Sequence, residues 1–140
     1  MGQQQLLLLV LAAVIVGLAV VTGINMFGQN AIQANQDAIR QDLLKIGSEA
    51  QAWYRRPAAL GGGGNTFAAL GGANGWASLN YPAGANFVNA NATYVWSGAG
   101  AGQVTLTGTS LQDFNGDGVF MSIAATITPN GIVLGAPTPD

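Results

Sequence analysis

The residues best suited to bind a cation lie in one short motif, Asp113-Phe114-Asn115-Gly116-Asp117-Gly118. Oxygen ligands at alternate positions, with a glycine for a sharp turn, match the first half of a calcium-binding loop. The bidentate acid expected at the twelfth position is missing, because Ala124 stands there. Asp113, Asn115 and Asp117 are therefore candidate calcium ligands, and a polar turn between two strands is the alternative interpretation.

A second candidate for chemistry is the tripeptide Asn91-Ala92-Thr93, which fits the acceptor pattern for N-glycosylation. Asn91 is the predicted attachment point, although a chain rich in asparagine contains such a tripeptide readily by chance. The glycine run at 61–64 lacks the Lys-Ser/Thr pair of a phosphate-binding loop. We therefore expect no nucleotide site.

The composition argues against catalysis. The 140 residues include no cysteine and no histidine, so thiol nucleophiles, disulfides and the usual general base are absent. Charged residues make up 7% of the chain, against about 25% in ordinary soluble domains. The net charge of −2 gives no electrostatic surface for nucleic acid. We expect neither an enzyme nor a nucleic-acid-binding protein, and no cofactor apart from the candidate calcium ion.

The few charges divide the chain into three parts. Residues 1–36 carry none, seven of the ten fall within 37–56, and none lies between 57 and 112. This distribution predicts an N-terminal helix over 1–56, whose 1–30 part is apolar and whose 31–56 part is amphipathic. The remaining residues, 57–140, are predicted to form a Gly/Asn-rich loop followed by an antiparallel β domain.

The apolar part contains 19 uncharged residues at 6–24, enough for a helix to cross the hydrocarbon core of a membrane. A cleaved secretory signal is the alternative, but no basic residue precedes this stretch and no convincing cleavage box follows it. We therefore interpret the segment as retained. Such a surface needs lipid or the same segment of neighbouring subunits to cover it.

The helical pattern continues beyond the apolar part, because one stripe recurs at steps of three and four residues. Its members are Ile24, Phe27, Ala31, Asn35, Ile39, Leu43, Ile46, Ala50 and Trp53. No proline occurs before Pro57, so the pattern predicts one helix over about 1–55, roughly 80 Å long. If this helix loosens anywhere, the glycines from Gly17 to Gly28 are the expected place. Its second half is expected to pack on the β domain.

The body begins with a predicted loop over 57–91. Its aromatic residues, Phe67, Trp76, Tyr81 and Phe87, either pack the loop onto the core or form a ligand-binding patch. From residue 92 the apolar period becomes two, which predicts strands over 92–97, 103–111, 119–128 and 132–134. In the third of these, Val119, Met121, Ile123, Ala125 and Ile127 are expected on the buried face. The predicted fold is α+β, a ladle whose long helix packs on a four-stranded antiparallel sheet.

The N-terminus Gly2-Gln3-Gln4-Gln5-Leu6, which runs directly into the apolar helix, carries a resemblance to a known family. Together with the layout of the whole chain, it resembles the type IV pilins and their relatives, the pseudopilins, archaeal pilins and archaellins. In that family a prepilin peptidase cuts after a glycine and the new N-terminus is processed or methylated. The Gly2–Gln3 junction is similar to the archaeal type of cleavage site; if Met1 is instead the mature start, Gln5 stands where bacterial pilins carry a glutamate.

The resemblance implies a structural subunit of an extracellular, pilus-like filament used in adhesion or motility. Such subunits are first inserted in the cytoplasmic membrane. The pilus assembly machinery then polymerises copies of the same subunit. The residues expected in the filament core are Gln3, Gln4, Gln5, Leu6, Leu8, Val14, Gly17 and Val21. Two alternatives remain open, a single-pass membrane anchor carrying a β ectodomain that binds ligands, and a pseudopilin of a secretion system.

Overall fold

Residues 2–139 are described in a computed structural model, and they begin with one long helix. Helix α1 runs over Gly2–Arg55 and is 54 residues long. It is helical throughout, including the stretch from Gly17 to Gly28, as the continuous pattern predicted. The chain forms two compact units, one ending at Ala34 and one beginning at Asn35. The amphipathic part of α1 therefore belongs with the β-rich body.

The second unit contains a five-stranded antiparallel sheet in which the strands follow one another in chain order. The strands are β1 Asn86–Val88, β2 Ala92–Ser97, β3 Val104–Ser110, β4 Ser122–Thr128 and β5 Gly131–Leu134. The predicted α+β class, with a long N-terminal helix on an antiparallel sheet, is confirmed.

The sheet has one strand more than the sequence predicts. Strand β1 lies within the predicted loop and pairs with β2, Phe87 opposite Tyr94. Its three residues are too few to show a period of two. Its pairing instead depends on the aromatic contact between Phe87 and Tyr94, whose ring centroids are 6.0 Å apart. The sequence pattern could not reveal this contact.

Strand β4 begins later than predicted. Met121, Ile123, Ala125 and Ile127 are buried, as the alternation predicts, but Val119 is 53% exposed, so the prediction for Val119 is wrong. The preceding acidic motif explains the difference, because the Val119 N–H donates to its own loop rather than to a neighbouring strand.

The core lies between the inner face of the sheet and the part of α1 that follows Asn35. The apolar stripe is confirmed there, since its members are buried: Ile39, Leu43, Ile46, Ala50 and Trp53. Gly108 in β3 allows the Tyr94 ring and the Ile39 side chain of α1 to pack closely against the β3 backbone. A Cβ at this position would lie 2.8 Å from the Tyr94 ring and 2.9 Å from Ile39 Cγ2.

The segment between α1 and β1 is more ordered than the predicted loop. It contains 3-10 turns at Ala58–Leu60 and Ala68–Gly71 and a short helix, α2, at Gly75–Ser78. The interpretation of its aromatic residues as packing residues is confirmed for Phe67 and Trp76, which are fully buried.

Trp76 is the centre of an aromatic cluster. Its ring centroid lies 5.1 Å from that of Trp96, 5.4 Å from that of Phe87 and 5.7 Å from that of Tyr81. Tyr81 and Phe87 are themselves partly buried against the core. These contacts attach the connecting segment to β1 and β2.

The glycine run at 61–64 terminates α1. The N–H of Gly63 donates to the Trp53 carbonyl at 2.8 Å, and the N–H of Asn65 donates to the Tyr54 carbonyl at 2.9 Å. Carbonyls in the last turn of a helix have no partner within the helix, so these bonds cap it. A Cβ at Gly63 would lie 2.5 Å from a backbone oxygen, which explains the need for glycine there.

Candidate functional site

The first unit is a bare apolar helix. No charged residue occurs before Asp37. The large apolar side chains exposed along it, each by 53–78%, are Leu6, Leu7, Leu8, Leu9, Val10, Leu11, Val14, Ile15, Val16, Leu18, Val20, Val21, Ile24, Met26 and Phe27. Contiguous apolar surfaces of this size mark contacts with proteins or membranes.

By length and composition, α1 is compatible with a membrane anchor, and it is the one helix in residues 2–139 that could span a membrane. A polar side chain within the segment also forms hydrogen bonds to the backbone of its own helix. The Thr22 hydroxyl bonds the carbonyls of Leu18 and Ala19, 3.0 Å away in each case. Such back-bonding allows a hydroxyl to lie in an apolar environment.

All eight residues predicted for the filament core lie in α1 and are exposed. At about 100° per residue, five of them share a sector roughly 80° wide. These five are Gln3, Leu6, Val14, Gly17 and Val21. Three lie around the rest of the helix: Gln4, Gln5 and Leu8. Contact with several neighbours at once requires residues on more than one side of the helix, and the predicted set provides them.

The glycines of the first unit have no role in packing within the chain. A Cβ added at Gly17, Gly23 or Gly28 would have no atom within 4 Å. Each of these glycines costs the helix about 1 kcal/mol relative to alanine. Small residues allow helices in a membrane or bundle to approach closely, so these positions suit helix–helix contacts with other chains.

A hydrogen-bond cluster around Asp42 holds the β1–β2 turn against α1. Its Oδ2 accepts from Asn89 Nδ2 at 2.9 Å, Asn91 Nδ2 at 2.9 Å and the Tyr94 hydroxyl at 2.7 Å. Partial burial opposes ionisation of Asp42, but the bonds from Asn91, Tyr94 and Asn89 and the Lys45 charge outweigh it and lower its pKa. Burial and the Asp42 carboxylate raise the pKa of Tyr94.

The cluster includes the predicted glycosylation point. Asn91 Nδ2, the atom to which a glycan would be joined, is a donor to Asp42, and Asn35 Nδ2 donates to the Asn91 carbonyl at 3.3 Å. A glycan on Asn91 would therefore compete with the contact between the turn and α1. Glycosylation at Asn91 stays a prediction.

A groove of about 500 Å³ lies between α1 and the segment around Tyr81, and Lys45, Glu49 and Arg56 contribute to its walls. The Tyr81 hydroxyl donates to Glu49 Oε2 at 2.7 Å. Burial, and then the Glu49 carboxylate, raise the pKa of Tyr81. Glu49 therefore serves as the hydrogen-bond acceptor that orients Tyr81 over the groove.

The candidate calcium ligands lie in the connection between β3 and β4, as the turn interpretation also required. Asp113 accepts from the N–H of Gly116 at 2.6 Å and of Gly118 at 2.7 Å. The Gly118 bond is the largest cause of the lowered pKa of Asp113. Asn115 Oδ1 accepts from the N–H of Asp117 at 3.0 Å. These bonds fold the loop.

Within residues 2–139, no three His, Cys, Asp or Glu residues are grouped so that they could hold a metal. Of the three candidate calcium ligands in the acidic loop, two are carboxylates and the third is the amide of Asn115. Calcium binding by Asp113, Asn115 and Asp117 stays a prediction.

The sequence interpretation missed exposed apolar side chains in the second unit. Leu111, Val119 and Phe120 flank the acidic loop and are 43–53% exposed, and Leu60, close after the end of α1, is 72% exposed. Leu60 lies outside the predicted helix and strands, but Leu111, Val119 and Phe120 lie within the predicted strands 103–111 and 119–128, so the strand pattern concealed their exposure.

Comparisons with protein-family models, with curated proteins and with solved structures give no match for this chain.

Proposed function

We propose that this chain is the structural subunit of an extracellular, pilus-like helical filament, polymerised from a membrane pool through the apolar part of α1. In this proposal the apolar part of α1, from Gln3 onward, forms the filament core and the unit that begins at Asn35 forms the outer surface. The partners are copies of the same chain, a prepilin peptidase that cuts after Gly2, and the assembly machinery.

One observation carries the proposal: a single helix joins two surfaces of different character. Up to Ala34 its apolar side chains are exposed, and beyond Asn35 its stripe is buried against its own sheet. A membrane anchor needs only the first surface. A filament subunit needs both, an apolar surface that neighbouring copies cover and a folded body that stays outside the core.

The energetics of the first unit require that it be covered. Burial of one leucine or valine side chain contributes about 1.5–3 kcal/mol. More than ten such side chains are exposed here, so in water the bare helix would associate with the nearest apolar surface. Lipid covers it before assembly. In the filament, neighbouring helices cover it, and the glycines at 17, 23 and 28 permit close contacts between them.

The test is to express the full chain in a host with a pilus assembly system, shear the cell surface, and reconstruct the sheared filaments by cryo-electron microscopy. The expected result is a core of bundled helices with side-chain density that matches Trp53, Trp76 and Trp96. Mass spectrometry of the same filaments should give a chain that begins at Gln3.

The matched variants are Leu8→Asp and Leu8→Met. Leu8→Asp introduces an unpaired charge into the proposed core, which costs several kcal/mol, and filaments should disappear. Leu8→Met keeps the volume and polarity, and filaments should persist. Normal filaments from Leu8→Asp would show that this segment is outside the core. If wild-type chains stay in the membrane fraction and never form filaments, the anchored β ectodomain is the better description.

A further inference from the structure

The second unit has two ends that differ in charge. At one end the last turn of α1 lies beside the β4–β5 turn. Arg55 Nη2 donates to the Pro129 carbonyl at 2.9 Å, and Gln51 Nε2 donates to the Thr128 carbonyl at 2.8 Å. Arg56 follows immediately. We call this surface, formed by Arg55, Arg56 and Leu60, the basic end.

The acidic loop lies at the opposite end of the sheet. Ser110, the last residue of β3, pairs with Ala92, which begins β2 just after the turn held by Asp42. The Ser110 N–H donates to the Met121 carbonyl at 2.8 Å, so the loop between them projects from this end. We call the surface formed by Leu111, Asp113, Asp117, Val119 and Phe120 the acidic end.

The two ends cannot meet within one chain. Strands β3 and β4 have seven residues each, which span about 23 Å. Over Asn35–Arg55 the axis of α1 runs from the acidic end to the basic end, since Asp42 contacts one turn and Arg55 the other. The unit therefore has a charge polarity along the helix direction.

Each end also carries exposed apolar surface, so both have the composition of a contact region. Leu60 is 72% exposed at the basic end, and Val119 and Phe120 are 53% and 43% exposed at the acidic end. Apolar side chains mixed with unlike charges allow a contact to be both stable and specific.

The distribution of charge favours a second copy as the partner. After Arg56 the chain contains no basic residue, and Asp113 and Asp117 form no salt bridge within residues 2–139. Within residues 2–139 the one salt bridge joins Arg40 to Asp37 on α1. In a polymer of this chain, the adjacent arginines of the basic end, Arg55 and Arg56, offer the acidic end of another copy a partner of opposite charge.

We propose that the basic end of one copy docks on the acidic end of another, with Arg56 facing Asp117 and Leu60 packing against Val119 and Phe120. The inference rests on the filament proposal and names a contact that orders its outer layer. Because the two surfaces differ, the contact is head-to-tail and can repeat from copy to copy, as an open helical filament requires. It would set the axial offset between outer domains.

A charge exchange tests the contact in full-length chains. Asp117→Arg places two positive charges opposite each other, and since like-charge contacts are strongly unfavourable, the filament yield should fall at least about fivefold. Arg56→Asp should do the same. The combined variant, Arg56→Asp with Asp117→Arg, restores an attractive pair, and its yield should return to within about twofold of wild type.

The absence of cysteine from the chain permits a second measurement. Filaments of Arg56→Cys/Asp117→Cys chains should give a ladder of disulfide-linked dimers, trimers and longer species on oxidation, because each chain carries one thiol at each end. The control Arg56→Cys/Asn130→Cys, with both thiols near the basic end, should give no such ladder.

The outcomes separate this inference from the proposed function. Wild-type filaments with no ladder, and with no rescue in the charge exchange, overturn the end-to-end contact and leave the filament proposal intact. An absence of wild-type filaments overturns both. Tryptophan fluorescence of each variant in detergent checks that the second unit is folded, and unrescued loss despite a folded unit also counts against the contact.

Discussion

Replacement of Asp42 by asparagine removes a charge from the cluster that holds the β1–β2 turn against α1. Three donors, from Asn89, Asn91 and Tyr94, point at one carboxylate oxygen. Hydrogen bonds to a charged group contribute about 1.5–3 kcal/mol each, and neutral ones about 0.5–1.5. The asparagine oxygen keeps some of these bonds but loses the charge. Since water partly screens this position, we expect the free energy of unfolding to fall by about 2 kcal/mol.

The matched control is Asp37→Asn, on the same helix. Asp37 pairs with Arg40 at 3.4 Å on the surface, and an exposed pair of this kind contributes about 0–1 kcal/mol. Urea denaturation of the full chain in detergent, followed by the fluorescence of the tryptophans, measures both variants. A loss of about 2 kcal/mol corresponds to a decrease in Tm of roughly 8 °C for a unit of this size.

The effect of Asp42→Asn should depend on pH. The pKa of Asp42 is lower in the folded chain than in the unfolded chain. Its contribution to stability is therefore complete above the unfolded value, about 4, and is lost as the pH falls through the folded value. The difference in unfolding free energy between wild type and Asp42→Asn should be largest at pH 7 and shrink toward pH 2. A difference that stays constant from pH 7 to pH 2, or equal losses for Asp37→Asn and Asp42→Asn, would refute this account.

Two further predictions concern packing and ionisation in the second unit. Gly108→Ala places a methyl group 2.8 Å from the Tyr94 ring and should destabilise the chain by about 1–3 kcal/mol. Gly47→Ala meets the flexible end of Ile132 at 2.8 Å and the Ile127 side chain at 3.4 Å and should change stability by less than about 1 kcal/mol, since its helix gains propensity. Equal effects of the two changes in urea denaturation would contradict the tight contact at Gly108. Tyr94 and Tyr81 have raised pKa values, so ultraviolet titration should show two hydroxyls that resist ionisation above pH 10 until the chain unfolds; stability that depends on their neutral form is lost as pH rises. Ionisation of all the tyrosines near pH 10 in folded protein would show that these hydroxyls are not held by Asp42 and Glu49.

The sequence predicted the parts of the fold in which a repeated pattern extends over several residues. The stripe that contains Ile39, Leu43 and Trp53 repeats over five turns, and its burial follows directly from helix geometry. The alternation from Met121 to Ile127 predicted the buried face of β4 in the same way. These patterns are local, so no knowledge of distant residues was needed.

The parts that the sequence could not reveal depend on individual contacts that no periodic pattern encodes. Strand β1 exists because Phe87 packs beside Tyr94, and the glycine run is a helix cap because Gly63 meets Trp53. Val119 satisfies an alternation yet belongs to the acidic loop, where a side-chain carboxylate takes its N–H. In each case one specific hydrogen bond or ring contact outweighs the apolar periodicity of the sequence.

The same distinction between local patterns and individual contacts applies to the candidate site. The uninterrupted apolar segment could be located from composition alone, because exposure of an unpartnered helix requires no tertiary information. The two charged ends could not, since opposite ends of a sheet are defined only by register. Ser110 opposite Ala92 is the pairing that separates Asp117 from Arg56.

The order of strands in the sheet has a consequence for how the chain reaches its folded state. Each strand pairs only with its neighbours in the chain, so the sheet can form by successive hairpins, each of which closes a short loop. The Asp42 bond to Asn91 instead joins residues 49 positions apart, and closing such a long loop has a larger entropic cost. Folding of the second unit therefore has a fast local stage and a slower docking stage. Until docking is complete, the apolar face of the sheet is open to other chains, so the interval before α1 docks is the period in which the second unit is most prone to associate with other copies.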